Sequence, residues 1–200
     1  MPNPFDCIPD AEFGTPVEAF DALLEDDPDI AGVLVDVDGV LIAVDGTHPP
    51  PVVGETVDPQ ILDRLRAVED RYGASLVTNR IKRDDFDPET LEAVFDAPVV
   101  RDAPPKPSAE IFYAGMELLG IPRDEAPRVV MVGDSAYYDA YGAGRAGLQI
   151  YQVDQDRSRY PPHQMLGKRT ADAVQTMCKL AYAGYRSLPA PSRRQSRRTD

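Results

Sequence analysis

The sequence contains no tryptophan, two cysteines and only four lysines among its 200 residues. Cys7 and Cys178 lie near opposite ends and lack the close spacing of a metal or redox motif, so we expect two reduced thiols rather than a disulfide. No run of 18 apolar residues is present, and the N-terminus lacks the basic and apolar segments of a signal peptide. These absences predict a cytoplasmic protein that does not span a membrane.

Negative charge dominates the composition, with 24 Asp and 10 Glu against 17 Arg and 4 Lys, for a formal net charge of −13. Because an acidic surface repels polyanions, binding to nucleic acid is not expected. The excess of Asp is typical of proteins from high-salt cytoplasm and also of GC-rich genomes, and the sequence leaves both explanations open. Four arginines lie in residues 193–200, which we interpret as a solvated tail, with contact to an anionic membrane surface as the alternative.

The most informative segment is residues 33–41, where an apolar run ends in two carboxylates, Asp36 and Asp38, followed by Gly39. A short run that is apolar on both faces predicts a buried parallel strand. Two acids at its end cost free energy unless a cation or a reaction uses them. Since ligands bind at the carboxyl ends of strands in open α/β sheets, the pair predicts a functional site. The alternative is an acidic strand end that faces water.

Strand and helix patterns alternate along the chain. Predicted helices follow helix-start signals at Thr15-Pro16, Asp58-Pro59, Asp87-Pro88, Ser108 and Ser135. Predicted strands cover about residues 30–37, 74–78, 98–101, 129–132 and 148–153. This alternation predicts an α/β fold, a Rossmann-like doubly wound parallel sheet of five strands with helices on both faces.

The predicted organisation has three parts: a lead-in with a short helix over residues 1–29, a main α/β domain over 30–188, and a disordered basic tail over 189–200. A last amphipathic helix is predicted to pack its apolar face on the sheet. That face comprises Val174, Met177, Cys178, Ala181, Tyr182 and Tyr185.

Polar groups also follow the later predicted strands and open one helix. They are Thr78-Asn79, Lys106-Pro107, Asp134 and Asp139. Together with the acid pair, their order and spacing over roughly residues 30–153 resemble the four motifs of the haloacid dehalogenase-like (HAD) phosphohydrolases. The resemblance implies a Mg²⁺-dependent phosphatase that forms an aspartyl-phosphate intermediate and acts on a phosphorylated substrate.

The resemblance also implies a role for each matching residue. Asp36 would be the nucleophile and Asp38 the general acid and base. Asp36, the main-chain carbonyl of Asp38 and Asp134 would hold Mg²⁺, and Asp139 would support the metal shell or orient Lys106. Phosphate would be bound by Thr78, Asn79, Lys106 and the backbone turn at Gly39. For Arg80, two interpretations stay open: contact with an anionic substrate, or a surface ion pair.

The intervals between the motifs are too short for a cap domain, with 39 residues from Asp38 to Thr78 and 27 from Thr78 to Lys106. An open site favours a bulky substrate, and a lipid phosphate is one candidate. The run from Val132 to Gly147 is similar to the capless subclass IIIA pattern. The order of a proline-rich lead-in, a short helix, the strand that ends in Asp36 and Asp38, and Lys106-Pro107 is similar to the YqeG-type branch, which is related to phosphatidylglycerophosphate phosphatases. Gly39 and Thr78-Asn79-Arg80 depart from that branch's usual residues.

Two other functions fit parts of the pattern. A receiver domain also uses an acid pair, a Thr and a Lys-Pro, but it would need a phosphorylatable Asp on a strand before Thr78 and has no role for Asp134 and Asp139. A catalytically silent HAD scaffold that acts as a binding protein stays open. The physiological substrate and the oligomeric state do not follow from the sequence.

Overall fold

The computed structural model describes residues 7–26, 29–42, 57–82, 87–154, 169–170 and 172–181. A parallel sheet of five strands forms the centre of this part of the chain. The strands are β1 (Ala11–Phe13), β2 (Gly32–Val35), β3 (Ala74–Leu76), β4 (Val129–Gly133) and β5 (Gln149–Val153). Their order across the sheet is β1-β5-β4-β2-β3. The predicted doubly wound α/β fold is therefore confirmed.

Among the described residues, five α-helices connect or flank the strands, in addition to the helical residues 169–170 and 172–181. They are α1 (Pro16–Asp26), α2 (Pro59–Tyr72), α3 (Pro88–Phe95), α4 (Ala109–Leu118) and α5 (Gly142–Ala146). The start of α1 is fixed reciprocally, because Thr15 Oγ1 accepts from the Glu18 N–H while the Glu18 carboxylate accepts from the Thr15 N–H. The predicted starts at Asp58-Pro59, Asp87-Pro88 and Ser108 are also confirmed as N-caps.

Alternating side chains of β2 build two cores on opposite faces of the sheet. Val33 and Val35 pack with side chains of α1, α2 and α3, whereas Leu34 packs with those of α4 and α5. Because successive side chains of a strand point to opposite faces, a wholly apolar strand requires helices on both sides. This arrangement leaves the carboxyl edge of the sheet as the place where polar side chains can converge.

The predicted set of strands was wrong at two places. Residues 98–101 pair with the sheet only through a single bridge between Val99 and Leu76. The fifth strand is instead β1, which pairs in parallel with β5 and makes part of the 1–29 lead-in continuous with the sheet. Three residues are too few to show strand periodicity, so β1 depends on its long-range partner rather than on a local signal.

The C-terminal helical residues do not present their predicted face to the sheet. Val174 and Met177 are 52% and 69% exposed, while Gln175 is 5% exposed. The Gln175 amide donates to the Cys7 carbonyl at 2.7 Å and to Gln152 Oε1 at 2.6 Å. The prediction of an inward apolar face was therefore wrong, because a hydrogen-bonded glutamine fills the buried position. Tyr182 and Tyr185 lie outside the described residues.

Other predictions fall partly or wholly outside the described residues. They concern the predicted domain over residues 30–188, which is described in part, and the basic tail over 189–200, which lies outside the described residues. Between β3 and α4, the described residues form one 3₁₀ turn, Asn79–Lys82, and α3, with no further domain. Among the described helices, none has the length and apolarity needed to cross a bilayer.

Candidate active site

Three neighbouring strands deliver polar side chains to the carboxyl edge of the sheet. Asp36 directly follows β2, Asp134 directly follows β4, and Thr78 lies two residues beyond β3. These three residues are 6%, 3% and 0% exposed, respectively. Since β4, β2 and β3 are adjacent in the sheet, the fold brings these groups together, although Asp36 and Asp134 are 98 residues apart in the sequence. The predicted convergence of these residues is observed.

Lys106 binds two of the buried carboxylates. Its Nζ lies 2.7 Å from Asp36 Oδ1 and 2.7 Å from Asp139 Oδ1, and the residue is 4% exposed. A buried ammonium between two buried carboxylates is stabilised by charge-assisted hydrogen bonds that compensate for its lost hydration. Asp139 contacts Lys106 directly, a contact that fits the second of its two predicted roles.

The backbone of Lys106 is held by Asn79. The Lys106 N–H donates to Asn79 Oδ1 at 2.8 Å, and Asn79 Nδ2 donates to the Lys106 carbonyl at 3.2 Å. The peptide bond between Lys106 and Pro107 is cis. The resemblance assigned Asn79 to phosphate binding, but both ends of its amide contact the lysine backbone. In this structure Asn79 fixes the position of Lys106.

Asp139 lies on a helix whose first part differs from the prediction. Residues Ala136–Tyr141 form a π-helical turn that continues into α5, whereas the sequence predicts a regular helix from Ser135 to Ala146. Asp139 Oδ2 accepts a hydrogen bond of 2.9 Å from the N–H of Ser135, the residue that precedes this turn. The other carboxylate oxygen, Oδ1, binds Lys106. Wide turns of this kind often occur at functional sites. Hydrophobic periodicity does not distinguish them from a regular helix.

Gly39 makes room for Asp134. Its φ is +96°, a left-handed conformation, and a Cβ at this position would lie 2.6 Å from the Asp134 side-chain Cγ. The Gly39 N–H donates to the Ile42 carbonyl at 2.8 Å. The prediction placed Gly39 at a turn of N–H groups facing phosphate, but its own N–H is engaged within the turn. The close approach of Asp134 is a separate physical reason for glycine here.

The three buried acids form a cluster that could hold a cation. One carboxylate oxygen from each of Asp36, Asp134 and Asp139 lies within 4.8 Å of the others. Carboxylate oxygens are hard ligands and suit Mg²⁺. Although Lys106 engages Asp36 and Asp139, this donor set fits a divalent cation, because each carboxylate carries more than one lone pair.

The electrostatics of the cluster favour an ionised lysine and oppose full ionisation of the acids. Burial raises the pKa of Asp36 well above its ordinary value, and Asp139 and Asp134 raise it further, while Lys106 acts in the opposite direction. Burial alone would lower the pKa of Lys106, but attraction to Asp139 and Asp36 outweighs that effect and raises it. Lys106 is therefore cationic, and ionisation of Asp36 costs folding stability.

That cost predicts a stabilising substitution. A carboxylate whose pKa is raised by folding stabilises the protein below its unfolded pKa, and this contribution is lost as the pH rises through the folded pKa. The amide of asparagine does not titrate, so without metal the Asp36→Asn variant should gain stability relative to wild type with rising pH. At neutral pH we expect a gain of on the order of 1 kcal/mol, or about 2–4 °C in Tm. Thermal unfolding in EDTA at acidic and neutral pH measures the difference, and a variant less stable than wild type at every pH would contradict it.

Asp38 forms an ion pair with Arg80 at the outer side of this cluster. The Arg80 Nε lies 3.0 and 2.9 Å from the two Asp38 carboxylate oxygens, and Nη2 lies 2.5 Å from Oδ1. The Arg80 side chain is 11% exposed and that of Asp38 is 35% exposed. The Arg80 N–H also donates to Thr78 Oγ1 at 3.1 Å. The sequence left Arg80 between a substrate contact and an ion pair, and in this structure it is an ion pair with Asp38.

A family model described as HAD-hydrolase-like matches residues 104–177. This segment contains Lys106, Asp134 and Asp139, but it excludes Asp36 and Thr78. No curated protein matches the chain. The matched segment is similar to HAD-like hydrolases, and it contains the site residues that follow α3 in the sequence.

Several solved structures resemble the chain at low sequence identity. An uncharacterized protein from Listeria monocytogenes serotype 4b is 20% identical, with 66% of this chain and 85% of that chain covered and a TM-score of 0.48. A protein from Mesorhizobium loti, assigned as a HAD-like phosphatase, is 22% identical, with coverages of 76% and 88% and a TM-score of 0.44. A protein from Porphyromonas gingivalis, assigned as a HAD-like family hydrolase, is 16% identical, with 68% of this chain and 97% of that chain covered and a TM-score of 0.38.

Proposed function

We propose that this protein is a HAD-family phosphatase that hydrolyses a phosphate monoester through an aspartyl-phosphate intermediate. The observation that carries the proposal is the buried contact of Lys106 with Asp36 and Asp139, beside Asp134, at the carboxyl edge of the sheet. Buried charged groups cost folding stability, and perturbed pKa values cluster at sites of chemistry. The fold tolerates four such groups where ligands of open α/β sheets bind.

Asp36 is the proposed nucleophile. Its Oδ1 accepts from Lys106 Nζ and from the Val37 N–H at 2.8 Å, so both of these contacts fall on one oxygen. The carboxylate is thereby fixed in orientation, and Oδ2 is the oxygen proposed to attack. A bond forms from Oδ2 to phosphorus as the bond from phosphorus to the leaving oxygen breaks, and water later cleaves the acyl phosphate.

Asp38 is the proposed general acid and base. It lies two residues after the nucleophile and is the more exposed of the pair, which suits a group that reaches toward the leaving oxygen and toward water. In the first step it gives a proton to the leaving oxygen, and in the second it takes one from the attacking water. Such proton transfer typically contributes about 10²- to 10⁴-fold to the rate.

Lys106 and Thr78 are the proposed phosphate-binding side chains. Thr78 Oγ1 accepts from the Arg80 N–H, which leaves the hydroxyl hydrogen to donate to a phosphoryl oxygen. The Lys106 ammonium carries positive charge to the same edge of the sheet, where it opposes the repulsion between Asp36 and a phosphate dianion. Asn79 supports this function indirectly by holding the Lys106 backbone.

Mg²⁺ is the proposed metal, held by Asp36, Asp134 and the Asp38 carbonyl, with Asp139 at its margin. When bound, it would supply charge that screens the nucleophile from the phosphate. The buried cluster of carboxylate oxygens is the donor set that this hard cation prefers. Partial neutralisation of the acids would also relieve the repulsion that raises the Asp36 pKa.

Replacement of Asp134 by alanine should weaken Mg²⁺ binding by about 10-fold or more, because one charged ligand is lost from a site with few protein ligands. Titration calorimetry with Mg²⁺ measures the change. The matched control is Asp124→Ala, which removes an exposed aspartate just before β4, at the opposite edge of the sheet. Equal Mg²⁺ affinities for the two variants would mean that the metal site is misplaced.

The proposed substrate class follows from the short intervals between the site residues. With no room for a cap domain, the site should accept a phosphate ester that supplies its own bulk, and a lipid phosphate is one candidate. Membership of subclass IIIA and of its YqeG-type branch belongs to the same proposal. A screen of phosphate esters, lipid esters included, tests the substrate class.

An assay with 4-nitrophenyl phosphate and Mg²⁺ tests the function itself. Turnover that is lost on chelation of the metal is the expected result. A folded protein that binds Mg²⁺ and phosphate but never hydrolyses an ester would instead be a silent HAD scaffold.

A further inference from the structure

Arg80 is the cation of the site that lies closest to solvent. Lys106 is 4% exposed and is held between two buried carboxylates. By contrast, the guanidinium of Arg80 binds Asp38, which is partly exposed, through three contacts of 2.5–3.0 Å. The two cations therefore differ in their partners: one sits inside the acid cluster and one at its outer margin.

The proposed phosphate-binding groups lie beneath this margin. Asp36, Thr78 and Lys106 are each less than a tenth exposed, while the Asp38 side chain is 35% exposed. Asp38 is therefore the most exposed of these side chains, and the Arg80 guanidinium is in direct contact with it. Arg80 is also tied to the phosphate site through its backbone, because its N–H donates to Thr78 Oγ1.

The partner of Arg80 in this structure has the geometry of an anionic ligand. A guanidinium presents its donors as a planar fork that matches a carboxylate or a phosphate equally well. Asp38 occupies that fork with both carboxylate oxygens. Those same oxygens are needed for proton transfer in the proposed reaction, so Asp38 cannot serve both partners at once.

We propose that Arg80 is a phosphate-recognition residue that exchanges partners when the substrate binds. In the free protein its guanidinium is held by the Asp38 carboxylate, and in the complex it donates to phosphoryl oxygens and releases Asp38. One anion replaces another at the same donors, and the released Asp38 carboxylate takes up a proton from water before it protonates the leaving oxygen. The inference rests on the proposed phosphatase function and names a specificity residue within it.

Binding of inorganic phosphate at fixed Mg²⁺, measured by titration calorimetry, tests the exchange without any need for turnover. Arg80→Gln should weaken phosphate binding by about 10- to 100-fold, the scale expected for lost charge-assisted hydrogen bonds. Arg80→Lys keeps the charge but loses the fork, so it should weaken binding less and tests the proposal even if the Gln variant folds poorly. The control is Arg123→Gln, which also breaks an arginine–carboxylate pair, with Glu110, away from the site.

The Asp38→Asn variant distinguishes an exchange of Arg80 between Asp38 and phosphate from a permanent Arg80–Asp38 ion pair. With its carboxylate partner neutralised, Arg80 is free for phosphate, so affinity should rise, and Arg80→Gln should cost more in this background than in wild type. Three results would overturn the proposal. They are a phosphate affinity within twofold of wild type in both Arg80 variants, a gain in phosphate affinity in Asp38→Asn that persists when Arg80→Gln is added, and no phosphate binding by the wild-type protein. Hydrolysis of esters with Arg80-independent phosphate binding would contradict the exchange alone, whereas Arg80-dependent binding without hydrolysis would contradict the phosphatase function alone.

Discussion

The Asp36→Asn variant will lose Mg²⁺-dependent phosphatase activity by about 10⁴-fold or more while keeping its fold. Asparagine preserves the size of the side chain and one oxygen, but a neutral amide cannot attack phosphorus and form an acyl phosphate. Because the substitution also removes charge from a crowded acidic cluster, the variant should be at least as stable as wild type without metal. Lost activity therefore cannot be attributed to unfolding.

Steady-state hydrolysis of 4-nitrophenyl phosphate, together with a thermal unfolding curve, measures both halves of this prediction. The matched control is Asp63→Asn on α2, where the aspartate side chain is 73% exposed and makes one long ion pair with Arg66. That variant should retain wild-type turnover. Full activity in Asp36→Asn would remove the nucleophile from the account, whatever the stability result.

Asp38→Asn should reduce turnover by about 10²- to 10⁴-fold, because it removes proton transfer to the leaving oxygen and from the attacking water. The nucleophile is intact in this variant, so the first step should still proceed with a substrate whose leaving group needs little protonation. 4-Nitrophenyl phosphate is such a substrate, whereas an alkyl phosphate is not. The loss of kcat/KM, which reports the first step, should therefore be much larger for an alkyl ester than for the aryl ester.

An equal loss of kcat/KM for both esters would show that Asp38 does not protonate the leaving oxygen. Arg80→Gln is the informative comparison, since it leaves the Asp38 carboxylate in place. It should affect mainly KM, because phosphate recognition is lost, whereas Asp38→Asn should affect mainly kcat. The split between the two constants separates the functions of two residues that are in direct contact.

The part of the site that the sequence predicted is the part encoded by strand ends. Asp36 and Asp134 each follow an apolar run that is buried on both faces, and burial of such runs in one parallel sheet brings their ends to the same edge. The Lys106 contact with Asp139 was one of two predicted roles, and only the folded geometry distinguishes them. Local pattern thus predicted which residues converge but not how they pair.

What the sequence did not predict depends on long-range partners. β1 is too short to be recognised by period and is defined by its ladder with β5. Gln175 is buried because Cys7 and Gln152 supply hydrogen-bond partners from distant parts of the chain, so hydrophobicity alone selected the wrong helix face. The bidentate contact of Arg80 with Asp38 joins residues 42 apart and has no sequence signature beyond the position of Arg80 after Thr78.

The measurement that tests the central claim most directly is mass spectrometry of the Asp38→Asn protein quenched in acid during turnover of 4-nitrophenyl phosphate. Slow hydrolysis of the acyl phosphate should let the intermediate accumulate, so a phosphoryl group is expected on the peptide that contains Asp36, and hydroxylamine should remove it. The double variant Asp36→Asn/Asp38→Asn should carry none. A phosphoryl group on another residue, or turnover by the single variant with no covalent intermediate at any time point, would contradict Asp36 as the nucleophile.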